Sequence, residues 1–222
     1  MIDKITSEIF QVGGGGLTSP EDAAVYLINI DDHAALVDAG CGGSVGQLIK
    51  HIQECGVALE SIEYLLITHC HFDHTGGVKG LKDQLPQSIV VAHELEAPYL
   101  EQGDNDVTAA RWYGATIQPF TVDKKLTGPE EDIELGERTI QAIHVPGHSP
   151  GSVVYLVESQ GLKVLFGQDV HGPLDASLKS DRAAYKKSLE LLLALEADIL
   201  CEGHYGVIHG KDEVADFIRS FL

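Results

Sequence analysis

Residues 68–77 read Thr-His-Cys-His-Phe-Asp-His-Thr-Gly-Gly and place four candidate metal ligands within six residues: His69, His71, Asp73 and His74. Imidazoles and carboxylates are the ligands that zinc, iron and manganese prefer. Burying four such groups together without a cation to satisfy them would be costly. The apolar run 64–67 before them is typical of a buried strand, and the Gly-Gly pair after them indicates a turn into a helix. The sequence therefore predicts a metal site where a strand of an α/β protein ends.

The segment His69-x-His71-x-Asp73-His74 resembles the metal-binding signature of the metallo-β-lactamase superfamily. Four other segments are similar to the remaining motifs of that family and occur in its order: 36–40, 146–152, 164–169 and 201–206. The resemblance therefore extends over nearly the whole chain. In overall pattern it is closest to the hydroxyacylglutathione hydrolase (glyoxalase II)-like members.

This resemblance implies two divalent metal ions, with zinc as the first expectation and iron or manganese as alternatives. One ion would be held by His69, His71 and His148, the other by Asp73, His74 and His204, with Asp169 bridging both. Asp73 and Asp169 are the residues to which we assign a catalytic role. The resemblance implies that a hydroxide shared by the two ions attacks a carbonyl carbon.

Four more residues are candidates for supporting roles. Asp38 ends an apolar segment, 36–38, and would orient a ligand imidazole from behind; the alternative is a plain turn aspartate. His171, two residues after Asp169, would face the substrate, or would be an ordinary loop histidine. Trp112 and Tyr113 would line the mouth of a pocket, although aromatic residues at helical spacing more often only pack.

Strand-like and helix-like segments alternate along the chain. The residues alone suggest two sheets packed face to face, and the resemblance implies an α/β fold, an αββα four-layer sandwich of two mixed β-sheets with helices on the outer faces. We expect a single domain over residues 1–222, with two pseudo-halves of about 1–123 and 124–222. Among its elements we predict a helical segment at 94–114, a strand at 116–122, a polar connector at 124–132 and a long helix capped by Ser180.

Charge and composition limit the classes of molecule that the protein is expected to bind. The net charge of −19 repels phosphate backbones, so we expect a small-molecule substrate and no nucleic acid. The first residues lack a basic and then apolar leader, and no apolar stretch is long enough to cross a bilayer, which predicts a cytoplasmic protein without a membrane partner. Four scattered cysteines suit a reducing compartment. A homodimer is left open.

The sequence thus predicts a dinuclear metal-dependent hydrolase of small carbonyl esters, with a thioester as the preferred substrate. The chain ends 18 residues after His204, where glyoxalase II-like proteins continue into a glutathione-binding domain, so residues 94–125 are the expected substrate cover. A lactonase makes the same demand on the metals and is the nearest alternative. An iron-dependent persulfide dioxygenase shares much of the motif but uses a single iron.

Overall fold

Two mixed β-sheets form the centre of the computed structural model, which describes residues 2–222. The first sheet contains seven strands in sequence order: β1 (Asp3–Lys4), β2 (Ile9–Gly13), β3 (Val25–Ile30), β4 (His33–Val37), β5 (Ile62–Leu66), β6 (Ile89–His93) and β7 (Lys124–Leu126). The second contains six strands, also neighbours in sequence order: β8 (Glu130–Leu135), β9 (Arg138–His144), β10 (Val153–Ser159), β11 (Leu162–Gln168), β12 (Ile199–Glu202) and β13 (Val207–His209). Parallel pairing joins β4 to β5, β5 to β6, β6 to β7 and β11 to β12.

Six α-helices accompany the sheets within the described residues: α1 (Val45–Glu54), α2 (Phe72–Thr75), α3 (Val78–Gln84), α4 (Ala97–Gln102), α5 (Arg182–Ala194) and α6 (Lys211–Arg219). Short 3-10 helices occur at Leu59–Ser61, Ala110–Tyr113 and Ala176–Leu178. None of the helices within residues 2–222 combines the length and the apolar character that crossing a bilayer requires.

The four layers follow from the period of two in the strands. In β3, Leu27 packs with Leu48 and Ile52 of α1 in one buried cluster, whereas its neighbours Tyr26 and Ile28 belong to a second cluster between the two sheets. The same alternation occurs in the second sheet. The predicted αββα sandwich is therefore confirmed, with one core between the sheets and one under each helical layer.

The substrate-cover region differs from its prediction. Residues 94–114 were expected to be helical throughout, but α4 ends at Gln102 because Gly103 adopts φ +69° and closes it with a left-handed residue. The expected strand at 116–122 is wrong as well. Pro119 offers no backbone N–H for a sheet, and the nearby N–H of Ile117 donates to the Asn105 side chain instead. The strand begins later, as β7, inside the segment expected to be a polar connector.

The cap of α5 also differs by one residue. Asp181, and not Ser180, accepts hydrogen bonds from the N–H groups of Ala183 and Ala184, at 2.8 and 3.0 Å. Ser180 uses its hydroxyl to donate to the backbone oxygen of His148 at 2.7 Å. The residue expected to start the helix therefore supports a predicted metal ligand.

Candidate metal centre

The seven predicted ligands meet at one edge of the sandwich, where strands of both sheets end. β5 leads into the loop that carries His69 and His71, and the short helix α2 presents Asp73 and His74. From the second sheet, the β9–β10 loop supplies His148, β11 ends just before Asp169, and β12 ends two residues before His204. Since the carboxyl ends of parallel strands lie at the same edge, the topology brings distant segments together.

Three imidazoles form the first group. The Nε2 atom of His69 lies 2.9 Å from Nδ1 of His71, and Nε2 of His148 lies 3.2 and 3.0 Å from those two atoms. All three residues are buried, and Nε2 of His71 is buried with no hydrogen-bond partner in the structure. Nε2 of His69, Nδ1 of His71 and Nε2 of His148 therefore converge on one point.

The hydrogen bonds on the outer side of these rings fix their protons. Nδ1 of His148 donates to the carbonyl of Pro173 at 2.9 Å. The Thr68 hydroxyl donates to Asp38 at 2.8 Å, so it accepts from Nδ1 of His69 at 3.0 Å. In the neutral rings the Nε2 lone pairs of His69 and His148 consequently face each other. Facing lone pairs repel unless a cation lies between them, which is the arrangement of a metal site.

Asp73, His74 and His204 form the second group. The Oδ2 atom of Asp73 is 3.1 Å from Nε2 of His204 and 3.7 Å from Nε2 of His74. On the outer side of the group, Nδ1 of His74 donates to Asp38 at 2.7 Å, which leaves Nε2 directed inward. Asp38, which we expect to orient a ligand imidazole, therefore contacts the ring of His74 directly.

Asp169 lies between the two groups and offers one oxygen to each. Its Oδ1 is 3.1 Å from Nε2 of His74 and 3.4 Å from Nε2 of His204. Its Oδ2 is 3.4 Å from Nε2 of His148 and 3.9 Å from Nε2 of His69. The side chain is buried, and its Oδ1 faces ring nitrogens without forming a hydrogen bond. This placement suits a carboxylate shared by two cations.

The balance of buried charge also indicates a site for cations. Six acidic residues are buried, whereas within residues 2–222 no lysine or arginine is: Asp22, Asp38, Asp73, Glu96, Asp169 and Glu202. Buried charges are normally paired or bound to metals. Three of the six, Asp38, Asp73 and Asp169, contact the imidazole rings of the ligand histidines. The donor set therefore fits divalent cations on its own chemistry.

Burial and neighbouring charges set the protonation of the metal-free groups. Burial, together with the other imidazoles, holds the pKa of His69 well below its usual value and lowers that of His71 to about 3. Burial also opposes the charged forms of His74 and His204, but the surrounding carboxylates outweigh it. They raise the pKa of His74 well above its usual range and that of His204 to about 10. The His69 and His71 rings are thus already neutral for metal binding, whereas His74 and His204 hold protons that a metal must displace.

Glycines 76 and 77 allow the second group to form. A Cβ atom at Gly77 would lie 2.1 Å from the carbonyl oxygen of Ala39, and one at Gly76 would lie 2.5 Å from that of Cys41. This close approach lets the N–H of Ala39 donate to the carbonyl of His74 at 2.8 Å. The loop that begins with Asp38 is thereby held against the helix that presents Asp73 and His74.

A cavity of about 200 Å³ opens above the ligands. Its floor contains atoms of His71, Asp73, Asp169 and His204, and its walls are formed by Ala109, Trp112, Tyr113, His171, Pro173 and Leu178. The structure thus brings all three predicted substrate residues to this cavity. Trp112 and Tyr113 are exposed at its mouth, and the ring of Tyr113 packs against Phe72 at 5.6 Å between centroids. Nδ1 of His171 donates to Glu202 at 2.8 Å, which fixes the orientation of the ring.

The sequence reading missed four supporting groups. Thr68 and the Pro173 carbonyl set the imidazole tautomers of the first group. Glu96 and Glu202 are buried acids that hydrogen-bond the ligand loops. Glu202 stands in the motif 201–206, two residues before His204, so its proximity to a ligand was a usable signal. Glu96 lay inside a segment misread as one long helix and gave no such signal.

The family model of the metallo-beta-lactamase superfamily matches residues 18–204, so the chain belongs to that superfamily. Together with the ligand set, this membership supports a metal-dependent hydrolase. A probable metallo-hydrolase of Methanocaldococcus jannaschii is 29% identical over 151 residues, which are 68% of this chain and 68% of that protein. The hydroxyacylglutathione hydrolase GloC of Haemophilus influenzae is 29% identical over 140 residues, 63% of this chain and 62% of that one. The chain thus spans about two thirds of the length of these relatives.

Solved structures agree on the fold. A metallo-β-lactamase from Cronobacter sakazakii superimposes with a TM-score of 0.83 at 22% identity, covering 99% of this chain and 90% of that one. At that identity the likeness establishes the shared αββα architecture and leaves the substrate to be argued from the site.

Proposed function

We propose that this protein is a dinuclear metal-dependent hydrolase of small carbonyl esters, with thioesters as its preferred substrates. The observation that carries the proposal is the position of Asp169, which offers one carboxylate oxygen to each of two ligand groups at the floor of a cavity. The first ion would be held by His69, His71 and His148, and the second by Asp73, His74 and His204. With five imidazoles and two carboxylates, zinc is the ion that the set suits first, and iron or manganese are the alternatives.

A pair of divalent cations at such a site lowers the pKa of a shared water to near neutrality and polarises a carbonyl oxygen. The residues of the chain orient the ligand rings and form the cavity that admits the substrate. Asp38 and Thr68 keep inward lone pairs on His74 and His69. Trp112, Tyr113 and His171 line the cavity beside the ligand groups. A carbonyl group admitted between these walls would lie directly above both ligand groups.

The walls favour a small or apolar substrate. The cavity is lined by Trp112, Tyr113, Pro173 and Leu178, and no lysine or arginine is among its lining residues. The carboxylates of a glutathione moiety would meet no bidentate clamp there. The relative named as a hydroxyacylglutathione hydrolase supports thioester chemistry, whereas the cavity supports a simpler leaving group. The acidic surface supports a small molecule over a nucleic acid.

Metal analysis combined with a substrate panel tests this proposal. Protein purified without chelator would be assayed for zinc, iron and manganese, and then for turnover of an aryl thioester, S-lactoylglutathione, an acyl lactone and a phosphodiester. We expect about two metal ions per chain and turnover that the thioesters dominate. Asp169→Ala should abolish turnover, and the exposed His209→Ala should behave as wild type.

Other outcomes would point to the alternatives. A lactone turned over faster than any thioester would indicate a lactonase with the same site. One iron per chain with oxygen uptake on a persulfide would replace the hydrolase proposal by the dioxygenase. Hydrolysis of the phosphodiester alone would contradict the argument from charge.

A further inference from the structure

Two buried glutamates, Glu96 and Glu202, lie behind the candidate metal centre, and neither is among its seven candidate ligands. Glu96 and Glu202 are both fully buried. Neither contacts a lysine or an arginine among the described residues. The oxygens of each carboxylate instead accept hydrogen bonds from neutral donors and, in Glu202, from a histidine ring. A buried carboxylate retained without a cationic partner needs such donors to offset its desolvation. The identity of those donors indicates what each glutamate does.

Glu96 joins the two loops that build the first group. Its Oε2 accepts from the N–H of Cys70, the residue between His69 and His71, at 2.7 Å. Its Oε1 accepts from the hydroxyl of Ser149, next to His148, at 3.0 Å, and from the N–H of Gly151 at 2.5 Å. One side chain therefore holds a loop of the first sheet and a loop of the second. Those loops carry all three imidazoles of the first group.

Glu202 has the corresponding position behind the second group. Its Oε2 accepts from the backbone N–H groups of His204 and Tyr205, at 2.7 and 2.9 Å. Its Oε1 accepts from Nδ1 of His171 at 2.8 Å. None of these donors belongs to the loops that Glu96 binds. The two acids thus act on separate parts of the centre.

A glycine, Gly151, lies next to the Glu96 side chain where a larger residue would clash with it. A Cβ atom at Gly151 would lie 2.8 Å from Cγ of Glu96 and 3.0 Å from its Oε1. The absence of a side chain at position 151 is therefore what allows the carboxylate to reach the His148 loop. The backbone of Glu96 is fixed as well, because its N–H donates to the carbonyl of His93 at 3.0 Å, at the start of α4.

We propose that Glu96 and Glu202 are positioning residues, each dedicated to one metal group. Glu96 sets the affinity of the His69–His71–His148 group, because it fixes the separation of the two loops that must converge on one ion. Glu202 sets the affinity of the Asp73–His74–His204 group, because it fixes the backbone of His204. Outer hydrogen bonds of this kind are typically worth about 10- to 100-fold in metal affinity. This inference rests on the proposed function, in which both groups bind metal.

Glu96→Gln and Glu202→Gln test the inference, since each replaces an oxygen acceptor with an amide donor of the same size. In Glu96→Gln, the amide group must face either the N–H of Cys70 or that of Gly151, so at least one bond is lost. Glu94→Gln is the matched control, because Glu94 is exposed and two residues away. The readout is stepwise cobalt(II) or zinc binding by competition with a chelator. The two binding steps are assigned to their groups with His71→Ala and His204→Ala.

We expect Glu96→Gln to weaken the first group by about tenfold or more while leaving the second within about threefold, and Glu202→Gln to do the reverse. Gly151→Ala should reproduce the effect of Glu96→Gln without altering the glutamate, which also covers the case in which Glu96→Gln fails to fold. Equal weakening of both groups in every variant, or affinities equal to those of Glu94→Gln, would overturn the inference. Wild-type protein that binds no metal would instead overturn the proposed function itself.

Discussion

Asp38 holds His74 through a 2.7 Å hydrogen bond from Nδ1 of the ring to Oδ2 of the carboxylate. The same oxygen accepts from the Thr68 hydroxyl, which in turn accepts from Nδ1 of His69. One carboxylate therefore fixes a ligand of each metal group, one directly and one through a hydroxyl. Asp38 achieves this from a left-handed conformation at φ +62°, which aspartate and asparagine adopt more readily than most residues.

This relationship predicts a sharp effect for Asp38→Asn. Asparagine retains the backbone conformation, but an amide group facing Nδ1 of His74 would favour the tautomer whose Nε2 carries the proton. We expect metal affinity and kcat each to fall by about 10- to 100-fold. Asp132→Asn, at an exposed position of β8, is the matched control. Activity close to wild type in Asp38→Asn would show that the carboxylate does not set the tautomer.

Metal stoichiometry provides a second prediction. Because six side chains form two groups on either side of Asp169, we expect about two ions per chain under metal-replete conditions. His204→Ala should weaken the second group more than the first, since His204 is a member of the second group alone. Elemental analysis with chelator competition measures both. A stoichiometry that stays at one would contradict the dinuclear site.

Asp169 and His171 should differ in their effect on turnover. Asp169→Ala removes the carboxylate that faces both groups, whereas His171→Ala removes one wall of the cavity and one partner of Glu202. We therefore expect Asp169→Ala to lose more of kcat/KM than His171→Ala. Steady-state kinetics on an aryl thioester with metal-loaded protein measures the difference. Greater damage in His171→Ala would mean that its ring, and not the shared carboxylate, dominates the chemistry.

Metal binding should release protons, and its pH dependence should differ between the groups. In the metal-free protein the raised pKa values of His74 and His204, the latter about 10, keep both rings protonated at pH 7. A metal must displace those protons, so the affinity of the second group should rise as the pH rises toward 10. His71, with its pKa lowered to about 3, contributes no such release at neutral pH.

Calorimetric titration in two buffers of different ionisation enthalpy counts these protons. We expect about one to two protons per chain at pH 7, and fewer for His204→Ala. Affinity of the second group that is constant between pH 6 and 9 would contradict the assigned protonation states.

Substrate choice follows from the cavity walls. Small or apolar thioesters and lactones should turn over at least as well, by kcat/KM, as glutathione thioesters, because no lysine or arginine lines the cavity. Weak uniform binding would raise KM without lowering kcat. Comparison of S-lactoylglutathione with an aryl thioester measures this. A preference of about a hundredfold for the glutathione substrate, roughly 2.7 kcal/mol, would reveal a glutathione site in residues 94–125.

The architecture was predicted correctly from the sequence, and the seven side chains proposed as metal ligands lie together in the structure. The segments between these motifs were predicted less well. Short-range apolar patterns predicted most of the strands. The dense motif at residues 69–74 and the family's order of motifs identified the candidate ligands from His69 to His204. Residues 94–114 were predicted to be helical and residues 116–122 to form a strand, whereas Gly103 ends α4 and Pro119 lies in a segment without strand pairing. Glu96 could not be identified because its function depends on Cys70, Ser149 and Gly151, which are distant in sequence and adjacent only in the fold.

The excess of buried acidic side chains makes the stability of the folded protein depend on bound cations. Within residues 2–222 six carboxylates are buried and no lysine or arginine is, so bound cations would offset more of this negative charge than the protonated histidines do. An ion that binds only the native state stabilises it by about 2.7 kcal/mol at a free concentration 100 times its Kd. Chelation should therefore lower the melting temperature as well as the activity. A cell that runs short of the metal would then hold fewer folded copies, so that supply of the ion governs how much protein persists.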